Sequence, residues 1–372
     1  MDYKLSEISD YVKGKIDIAA LDANKYISTE NMRPDKGGIT SASSLPTMVQ
    51  TQAFSAGDVL VSNIRPYFKK IWFAEYDGGC SNDVLVFRAK DGVNKRFLYY
   101  VLSDDRFFEY SMATSKGTKM PRGDKVAIMK YKVPYFTWDE QERIAGILAT
   151  IDGRIKLNTE INENLSDQIQ AIYSNEFDPT THTPSGVLAD ICTYSSDKIP
   201  VSELSVSTYY STENMQPNKM GSVDATSLPS ITQTTGCHKG DVLISNIRPY
   251  FKKIVYVTDD SCGCSTDVLC FVPKEDRCSA FLFGTLYMDR FFDYMVAGSK
   301  GTKMPRGDKQ QIMNYPIVLP DKESLDLFNG LIVPMLDQIA TNRIESSRLA
   351  ALRDALLPKL MSSELDVSST DL

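Results

Sequence analysis

Residues 57–71 have the sequence GDVLVSNIRPYFKKI, and residues 240–254 repeat it as GDVLISNIRPYFKKI, with isoleucine in place of valine as the only change. The apolar run that follows Gly57 and Asp58 is typical of a β-strand. Pro66 has no amide hydrogen and cannot continue a paired strand, so the residues beyond Arg65 are predicted to form a loop or a sheet edge. A repeat of this fidelity predicts that one fold occurs twice in the chain.

Two further segments of the sequence repeat on either side of this stretch. They are YISTENM at 26–32, which returns as YYSTENM at 209–215, and SKGTKMPRGDK at 115–125, which returns unchanged at 299–309. The 372 residues are enough for two domains that each bury a core. The chain is therefore interpreted as a tandem duplication.

Each copy opens with a globular region of mixed composition. Short apolar runs at 83–87 and 267–271 are bounded by Gly, Ser and Asp, as expected of β-strands. The segments 97–102, with Arg106-Phe107-Phe108 after it, and 281–294 are predicted to be helical. The fold class is therefore α+β, with two similar α/β domains.

Each copy closes with a long helix that carries an apolar seam. In the first copy, from Asp139 to about Asn175, the seam residues recur at alternating steps of four and three, at Ile144, Leu148, Ile151, Ile155, Asn158, Asn162, Leu165, Ile169 and Ile172. The second copy has its seam at Phe328, Ile332, Met335, Ile339, Asn342, Ser346, Leu349, Arg353 and Leu356. A heptad pattern of this length predicts that the two helices bury their seams against each other as a coiled coil. Packing of each helix on its own globular domain is the alternative.

The amino-acid composition limits where the protein is located and what its surface binds. The net charge is −7, but residues 1–138 carry 20 basic and 16 acidic side chains, so the first globular region is net positive. An acidic total lowers the expectation of nucleic-acid binding without removing it, because local patches decide what a surface binds. Seven irregularly spaced cysteines argue against a secreted disulfide framework. With no signal segment and no membrane-spanning run, the expected location is the cytoplasm.

A catalytic or metal site is not expected from the side chains available. His182 and His238 are the two histidines, and neither recurs in the other copy. Cys262 and Cys264 resemble half of a zinc site, but the first copy offers only Cys80 there, so burial as small apolar residues is the default interpretation. No glycine-rich phosphate loop follows a strand. We therefore expect neither catalytic residues, nor metal ligands, nor a cofactor on this chain.

Two of the repeated segments combine cations with aromatic, glycine and hydroxyl side chains, which suits contact with DNA. The candidates are Asn63, Arg65, Tyr67, Lys69, Lys70, Lys116, Thr118, Lys119 and Arg122, and in the second copy Asn246, Arg248, Tyr250, Lys252, Lys253, Lys300, Thr302, Lys303 and Arg306. Lysine and arginine pair with phosphates, and Asn63 or Arg65 could reach a base edge. Tyr67 and Phe68 are more often core packing than base-stacking residues. Positions identical in both copies are framework, phosphate contacts, or readers of a base common to both halves.

The arrangement of these motifs resembles the specificity subunit of type I restriction-modification enzymes. The resemblance rests on the Gly57–Leu60 strand and the Lys116-Gly117-Thr118 loop of each repeat, and on the sequence QERI at 141–144 near the start of a long helix. It rests also on the closing stretch LRDALLPKLMSSEL at 352–365, and it covers nearly the whole chain. One departure is that the second helix begins with Lys322-Glu323-Ser324, which leaves the role of Gln141 open.

The resemblance implies a function and a set of partners. It implies target-recognition domains at 1–138 and 176–320, a first spacer helix at 139–175, and a second spacer helix with the C-terminal tail at 321–372. Such a subunit is non-catalytic, holds its recognition domains apart with an antiparallel coiled-coil pair of helices of approximate two-fold symmetry, and recognises a bipartite sequence in double-stranded DNA. The similarity of the two copies predicts that the two halves of that sequence are nearly palindromic. It positions adenine methyltransferase subunits and motor-nuclease restriction subunits, on which S-adenosylmethionine, ATP and magnesium are expected. A symmetric protein-interaction scaffold without DNA readout is the alternative function.

Overall fold

The computed structural model describes residues 2–362 and 364–365. The chain divides into two compact units. The first contains residues 1–156 together with 346–372, and the second contains residues 157–345. Met1, Ser363 and residues 366–372, which belong to the segments predicted as 1–138 and 321–372, lie outside the described residues.

The first unit is built on two four-stranded sheets and a short two-stranded one. Its strands are β1 (Asp2–Lys4), β2 (Ser9–Tyr11), β3 (Lys15–Asp17), β4 (Tyr26–Ile27), β5 (Gln50–Phe54), β6 (Val59–Ser62), β7 (Ile71–Phe73), β8 (Gly78–Cys80), β9 (Val84–Ala89) and β10 (Lys132–Pro134). One sheet has the antiparallel order β2-β9-β6-β7. The other has the order β3-β5-β8-β4, in which β4 runs parallel to β8. The strand predicted at 83–87 overlaps β9, which begins one residue later and extends to Ala89.

Helices of the first unit cover one face of the β2-β9-β6-β7 sheet. They are α1 (Leu5–Ile8), α2 (Lys95–Ser103), α3 (Asp105–Ala113), α4 (Lys125–Ile128) and the long α5 (Trp138–Phe177), which continues into the second unit. The central strand β6 is buried on both faces: Val59 and Val61 join the core beneath the helices, whereas Leu60 joins the core against the second sheet. Two-sided burial explains why this strand is an unbroken apolar run rather than an alternating one.

The second unit repeats this order. Its strands are β11 (Gly186–Val187), β12 (Cys192–Tyr194), β13 (Lys198–Pro200), β14 (Tyr209–Tyr210), β15 (Gln233–Cys237), β16 (Val242–Ser245), β17 (Ile254–Tyr256), β18 (Cys262–Cys264), β19 (Val268–Pro273) and β20 (Pro316–Ile317). Its helices are α6 (Leu188–Ile191), α7 (Ser279–Tyr287), α8 (Asp289–Ala297), α9 (Lys309–Met313) and the long α10 (Lys322–Met361), whose last part belongs to the first unit. The predicted helix at 281–294 is thus two helices, because the backbone is extended at Met288, as it is at Asp104 in the first copy.

The seam of the long helices is largely buried, as the heptad pattern predicted. In the second unit the two helices run antiparallel, since Asn158 bonds to Asn342 and Glu345 while Asn162, further along α5, bonds to Ile339 and Asn342. The alternative interpretation is also partly correct, because each unit combines the helix seam with its own domain core. The second core, for example, includes Ile169 and Ile332 together with Phe281.

In the first unit the end of α10 completes the core. Leu357, Leu360 and Met361 are buried with Ile144 and Leu148 of α5 in the cluster that also contains Leu5 and Phe97. Arg353, the one charged member of the second seam, is accommodated because its guanidinium bonds to Asp152 of α5 at 3.0 Å. A charge at a seam position is thus neutralised within the helix pair.

Gln141 has a structural role in the first unit. Its side chain is buried, accepts a hydrogen bond from the main-chain nitrogen of Asn94 at 3.0 Å, and donates one to the carbonyl of Phe136 at 3.1 Å. Asn94 in turn caps α2. Leu325, the corresponding residue of the second copy, is buried in the apolar core. The second copy therefore has apolar packing where the first has the hydrogen bonds of Gln141.

Candidate nucleic-acid interface

Two predicted segments of the first unit, some fifty residues apart in sequence, meet at one surface. Ile64 and Arg122 form an antiparallel bridge. The main-chain nitrogen of Arg65 donates to the carbonyl of Pro121 at 2.8 Å, and that of Gly123 donates to the carbonyl of Asn63 at 3.2 Å. The second repeated segment also closes on itself, because Lys116 and Arg122 exchange two main-chain hydrogen bonds of 2.9 Å.

The second unit has the same junction. Ile247 bridges Arg306, and the nitrogen of Arg248 donates to the carbonyl of Pro305 at 2.8 Å. Lys300 and Arg306 exchange main-chain hydrogen bonds. The repeated sequences therefore specify the same tertiary contact in both units.

A third segment, which sequence reasoning missed, completes each surface. In the first unit it is the hairpin closed by the Met32–Ile39 bridge, where the nitrogens of Asp35 and Lys36 donate to the carbonyls of Phe68 and Lys69 at 2.9 and 3.0 Å. The second copy repeats both contacts through Asn218 and Lys219. We call the three segments of each unit the loop cluster: residues 32–39, 63–70 and 116–125 in the first, and 215–222, 246–253 and 300–309 in the second. The sequence signal available was the repeated Pro-x-Lys at 34–36 and 217–219.

The loop cluster holds unusual backbone conformations. All eight non-glycine residues with positive φ in the described chain lie in it, namely Asp35, Lys36, Arg65, Lys69, Asn218, Lys219, Arg248 and Lys252. An L-residue in the left-handed region costs about 1–2 kcal/mol, so such residues persist only where the surrounding structure fixes them. Here the fixing contacts are the main-chain hydrogen bonds between segments. Strain of this kind concentrates at functional sites.

A shared carboxylate ties two of the segments together. Asp105, at the start of α3, forms ion pairs with Lys69 at 2.7 Å and with Lys36 at 2.9 Å. Burial alone would raise the pKa of Asp105, but the hydrogen bonds from Lys69 and Lys36 outweigh it and hold the pKa below its ordinary value. In the second unit Asp289 pairs in the same way with Lys219 and Lys252. The repeated sequence Asp-Arg-Phe-Phe at 105–108 and 289–292 was a sequence signal for this anchor.

The segment 116–125 carries its own acidic partners. Lys116 pairs with Asp124 at 2.6 Å, and Arg122 pairs with Asp83 at 3.2 Å. The hydrogen bond from Lys116, together with the main-chain amides of Ala127 and Val126, lowers the pKa of Asp124 to about 2. The second unit matches these pairs with Lys300–Asp308 and Arg306–Asp267.

The remaining predicted residues differ in exposure. Thr118, Lys119, Thr302 and Lys303 are exposed, and within the described chain neither of these lysines forms an ion pair. Lys70 instead turns inward and donates to the carbonyl of Thr29 at 2.6 Å, and burial lowers its pKa. Lys253 bonds to Thr212 in the same way. Asn63 and Asn246 are buried beneath the turn.

The aromatic residues of the turn are exposed. Tyr67 and Phe68 form a one-turn 3₁₀ helix with Pro66, and their rings lie 4.7 Å apart at the surface. The expectation that they would be core packing is wrong at these positions. Ile64 is half-buried and lies at the edge of the same surface.

The remaining expectations concern the burial of the cysteines, metal binding and membrane-spanning segments. Cys262 and Cys264 are buried in an apolar cluster with Cys237 and Cys270, as the default interpretation predicted. Residues 2–362 and 364–365 contain no group of three or more His, Cys, Asp or Glu side chains placed to hold a metal ion. In the same part of the chain, none of the helices combines the length and apolarity that crossing a lipid bilayer requires.

Comparison with known proteins agrees with the motifs. Residues 1–167 match the family model of the Type I restriction modification DNA specificity domain. The chain is 21% identical, over 98% of its length and 99% of the relative's, to the Type I restriction enzyme HindI specificity subunit of Haemophilus influenzae. It is 22% identical, over 75% of its length and 71% of the relative's, to the MjaIX specificity subunit of Methanocaldococcus jannaschii.

The fold agrees as well. The S subunit of a type I restriction-modification system from M. genitalium superimposes with a TM-score of 0.58 at 16% identity, covering 99% of this chain and 96% of that one. The fold class predicted from the sequence is thereby confirmed. So is the resemblance: residues 1–167 match the DNA specificity domain, the relative matched over nearly the full length is named a specificity subunit, and so is the relative matched over 75% of this chain.

Proposed function

We propose that this chain reads an interrupted DNA sequence, one half-site for each loop cluster, and positions adenine methyltransferase subunits and motor-nuclease restriction subunits on it. Residues 1–138 and 176–320 act as the recognition domains, and 139–175 and 321–372 as the spacer helices. S-adenosylmethionine, ATP and magnesium belong to the partner subunits. The chain itself supplies sequence readout and geometry.

The observation that carries the proposal is the convergence of three distant segments into one cationic surface in both units. Lys36, Lys69, Lys116, Lys119 and Arg122 belong to a single loop cluster, and each is half-buried or exposed. Phosphate contacts from such side chains would fix the position of the duplex, while base edges carry the sequence information. Arg65 is the candidate reader, because its main chain is locked to Pro121 and its position on the duplex would follow from the fold.

The repetition of the loop cluster supports a near-palindromic target. Cations and aromatic residues at equivalent positions would treat the two half-sites alike, as protein symmetry imposes site symmetry in dimeric repressors. One informative difference lies in the hairpin, where exposed Arg33 is replaced by half-buried Gln216. Arginine favours guanine and glutamine favours adenine at the major-groove edge. We therefore place the departure from a perfect palindrome at the base opposite this hairpin.

The test is a map of adenine methylation in a cell that expresses this chain with its methyltransferase partner. The expected result is a pair of inverted, nearly identical half-sites separated by a fixed gap, with one methylated adenine in each. Arg33→Gln should make the two halves more alike, and exposed Lys13→Gln, a matched loss of charge outside the loop cluster, should leave the sequence unchanged. Half-sites without inverted resemblance would contradict duplicated readout, and absence of any chain-dependent methylation would contradict the function itself.

A further inference from the structure

Each loop cluster exposes a pair of adjacent aromatic side chains. The exposed fractions are 49% for Tyr67 and 36% for Phe68, and 48% for Tyr250 and 40% for Phe251. We call each of these an aromatic pair. Keeping two large apolar rings in water is unfavourable, so a surface that retains them is expected to cover them when it binds.

The repeat separates these pairs from other exposed rings. The further exposed aromatic residues of the described chain are Tyr135 and Trp138. The second copy has Leu319 and Lys322 at the corresponding positions, so an exposed aromatic side chain is not repeated there. The aromatic pair is thus the exposed aromatic feature that both units share.

The backbone turn that bears the aromatic pair is held in place by hydrogen bonds. The 3₁₀ turn that bears it is closed by hydrogen bonds from Phe68 to Arg65 at 3.0 Å and from Lys69 to Pro66 at 2.9 Å. Arg65 and Lys69, at its two ends, are both in the left-handed conformation, and the amide of Asp35 binds the carbonyl of Phe68. Rings held this way lose little conformational freedom on binding.

The surroundings of the aromatic pair favour nucleic acid over an apolar protein surface. Arg65 and Lys69 lie at the two ends of the turn that bears it. The adjoining segment contributes Lys119 and exposed Met120 next to Pro121, the partner of the Arg65 amide. An apolar tip surrounded by cations is the combination that proteins use to wedge open a base step while holding the phosphates on either side. A protein partner that covered these rings would have to accommodate the same cations.

We propose that each aromatic pair inserts as a wedge between adjacent base pairs of its half-site, unstacking that step and bending the duplex. This inference rests on the proposed function and assigns a role within it. Insertion costs less free energy at a base step that deforms easily, so the wedge selects steps by their flexibility and not by their hydrogen-bonding groups. Flexible pyrimidine–purine steps are therefore its preferred sites. Identical pairs in the two units place one such step in each half-site.

The experiment uses the full chain with its methyltransferase partner and duplexes that carry the mapped target, with 2-aminopurine placed in turn at each position of one half-site. The complex should raise 2-aminopurine fluorescence at a single step away from the target adenine, which the methyltransferase flips out of the stack with or without a wedge, and should bend the duplex. The double variant Tyr67→Ala/Phe68→Ala should abolish the signal in one half-site and weaken binding about tenfold or more. Tyr250→Ala/Phe251→Ala should do so in the other half-site alone.

Two controls separate a wedge from other roles. Tyr67→Leu/Phe68→Leu keeps apolar bulk without rings and should retain most of the fluorescence rise, because leucine also serves as a wedge. Tyr135→Ala, a residue of equal exposure outside the loop cluster, should leave both signals intact. Thermal unfolding of each variant confirms that it is folded.

The outcomes discriminate between the inference and the function on which it rests. If the wild-type complex binds its target but no position apart from the target adenine brightens, or if the alanine variant brightens normally at the wedge step, the wedge is overturned while the function stands. If the alanine variant loses its methyltransferase partner yet binds DNA unchanged, the aromatic pair is a protein contact and the inference is wrong. If the wild-type complex shows no preference for the mapped target, the proposed function itself fails.

Discussion

Asn158 donates a hydrogen bond to the main-chain carbonyl of Asn342 across the buried seam of the long helices, at 3.4 Å. The two residues occupy the same position in the two copies, 184 residues apart. Asn342 also donates to Asn162 at 2.9 Å and accepts from Gln338 at 2.7 Å. A polar contact within a largely apolar seam fixes the register of two helices, because a shifted pairing would leave these amides without partners.

Asn342→Ala should destabilise the chain by about 1–3 kcal/mol, because it removes a buried hydrogen-bond partner from the amides of Asn162 and Gln338. Urea unfolding followed by circular dichroism measures the change. Thr341→Ala, at the exposed neighbouring position, is the matched control and should cost markedly less. Equal stability of the two variants would show that the asparagine network does not hold the helix pair.

Asp241 lacks a cation that its counterpart has. In the first copy buried Asp58 accepts two hydrogen bonds of 2.7 Å from Arg88. The residue equivalent to Arg88 is Val272, and burial raises the pKa of Asp241 in consequence. A raised carboxyl pKa stabilises the fold below the unfolded value and loses that contribution as pH rises through the folded one.

Val272→Arg should therefore stabilise the second unit at neutral pH by about 1.5–3 kcal/mol, since a hydrogen bond to a charged group contributes about this much. The gain should vanish below about pH 4, where the carboxyl is protonated in both states. Unfolding free energies measured between pH 4 and pH 8 check the sign. Arg88→Val is the reciprocal variant and should be destabilising at neutral pH; a pH-independent effect in both would contradict this account.

If the loop cluster binds DNA as proposed, Asp105 should compete with the phosphates for Lys36 and Lys69, with which it forms ion pairs. Asp105→Asn should release both lysines, tighten binding to DNA of any sequence, and steepen its salt dependence by about 0.9 for each new phosphate contact. Glu109→Gln removes the same charge from an exposed position of the same helix without touching the two lysines, and should have a smaller effect. Binding isotherms between 50 and 200 mM salt, values chosen to span the range of strong counterion effects, make the comparison. If the two variants behave alike, the carboxylate does not restrain the lysines.

Substitutions of Arg65 can separate its effect on the stability of the fold from its proposed effect on base recognition. Its φ of 50° suits glycine, so Arg65→Gly should fold at least as stably as Arg65→Ala, which keeps the strain of about 1–2 kcal/mol. Both variants remove the side chain and should relax the preference at one base of one half-site, measured as a broadened methylation motif. Arg248→Gly should relax the other half-site. An unchanged motif in Arg65→Gly would make this arginine a framework residue.

Sequence reasoning reached the repeat, the strands and the helix seam because these depend on local periodicity. It did not reach the assembly of the loop cluster, since contact between Arg65 and Pro121 is a product of tertiary folding. Lys69 and Lys70 show the limit most clearly. They are adjacent residues of one type, yet one bonds to Asp105 and the other turns inward to Thr29, because the left-handed backbone at Lys69 reverses the chain between them.

The order in which the chain is synthesised matters for its first unit. The core that opens with Leu5 is closed by Leu357, Leu360 and Met361, whereas residues 157–345 make up the second unit without interruption. At ribosomal speeds of roughly 5–20 residues per second, the end of α10, which packs on Ile144 and Leu148, is synthesised on the order of 10–40 s after them. A nascent chain therefore completes its second half before its first, and during that interval the apolar face of the first half is a surface for chaperones to shield.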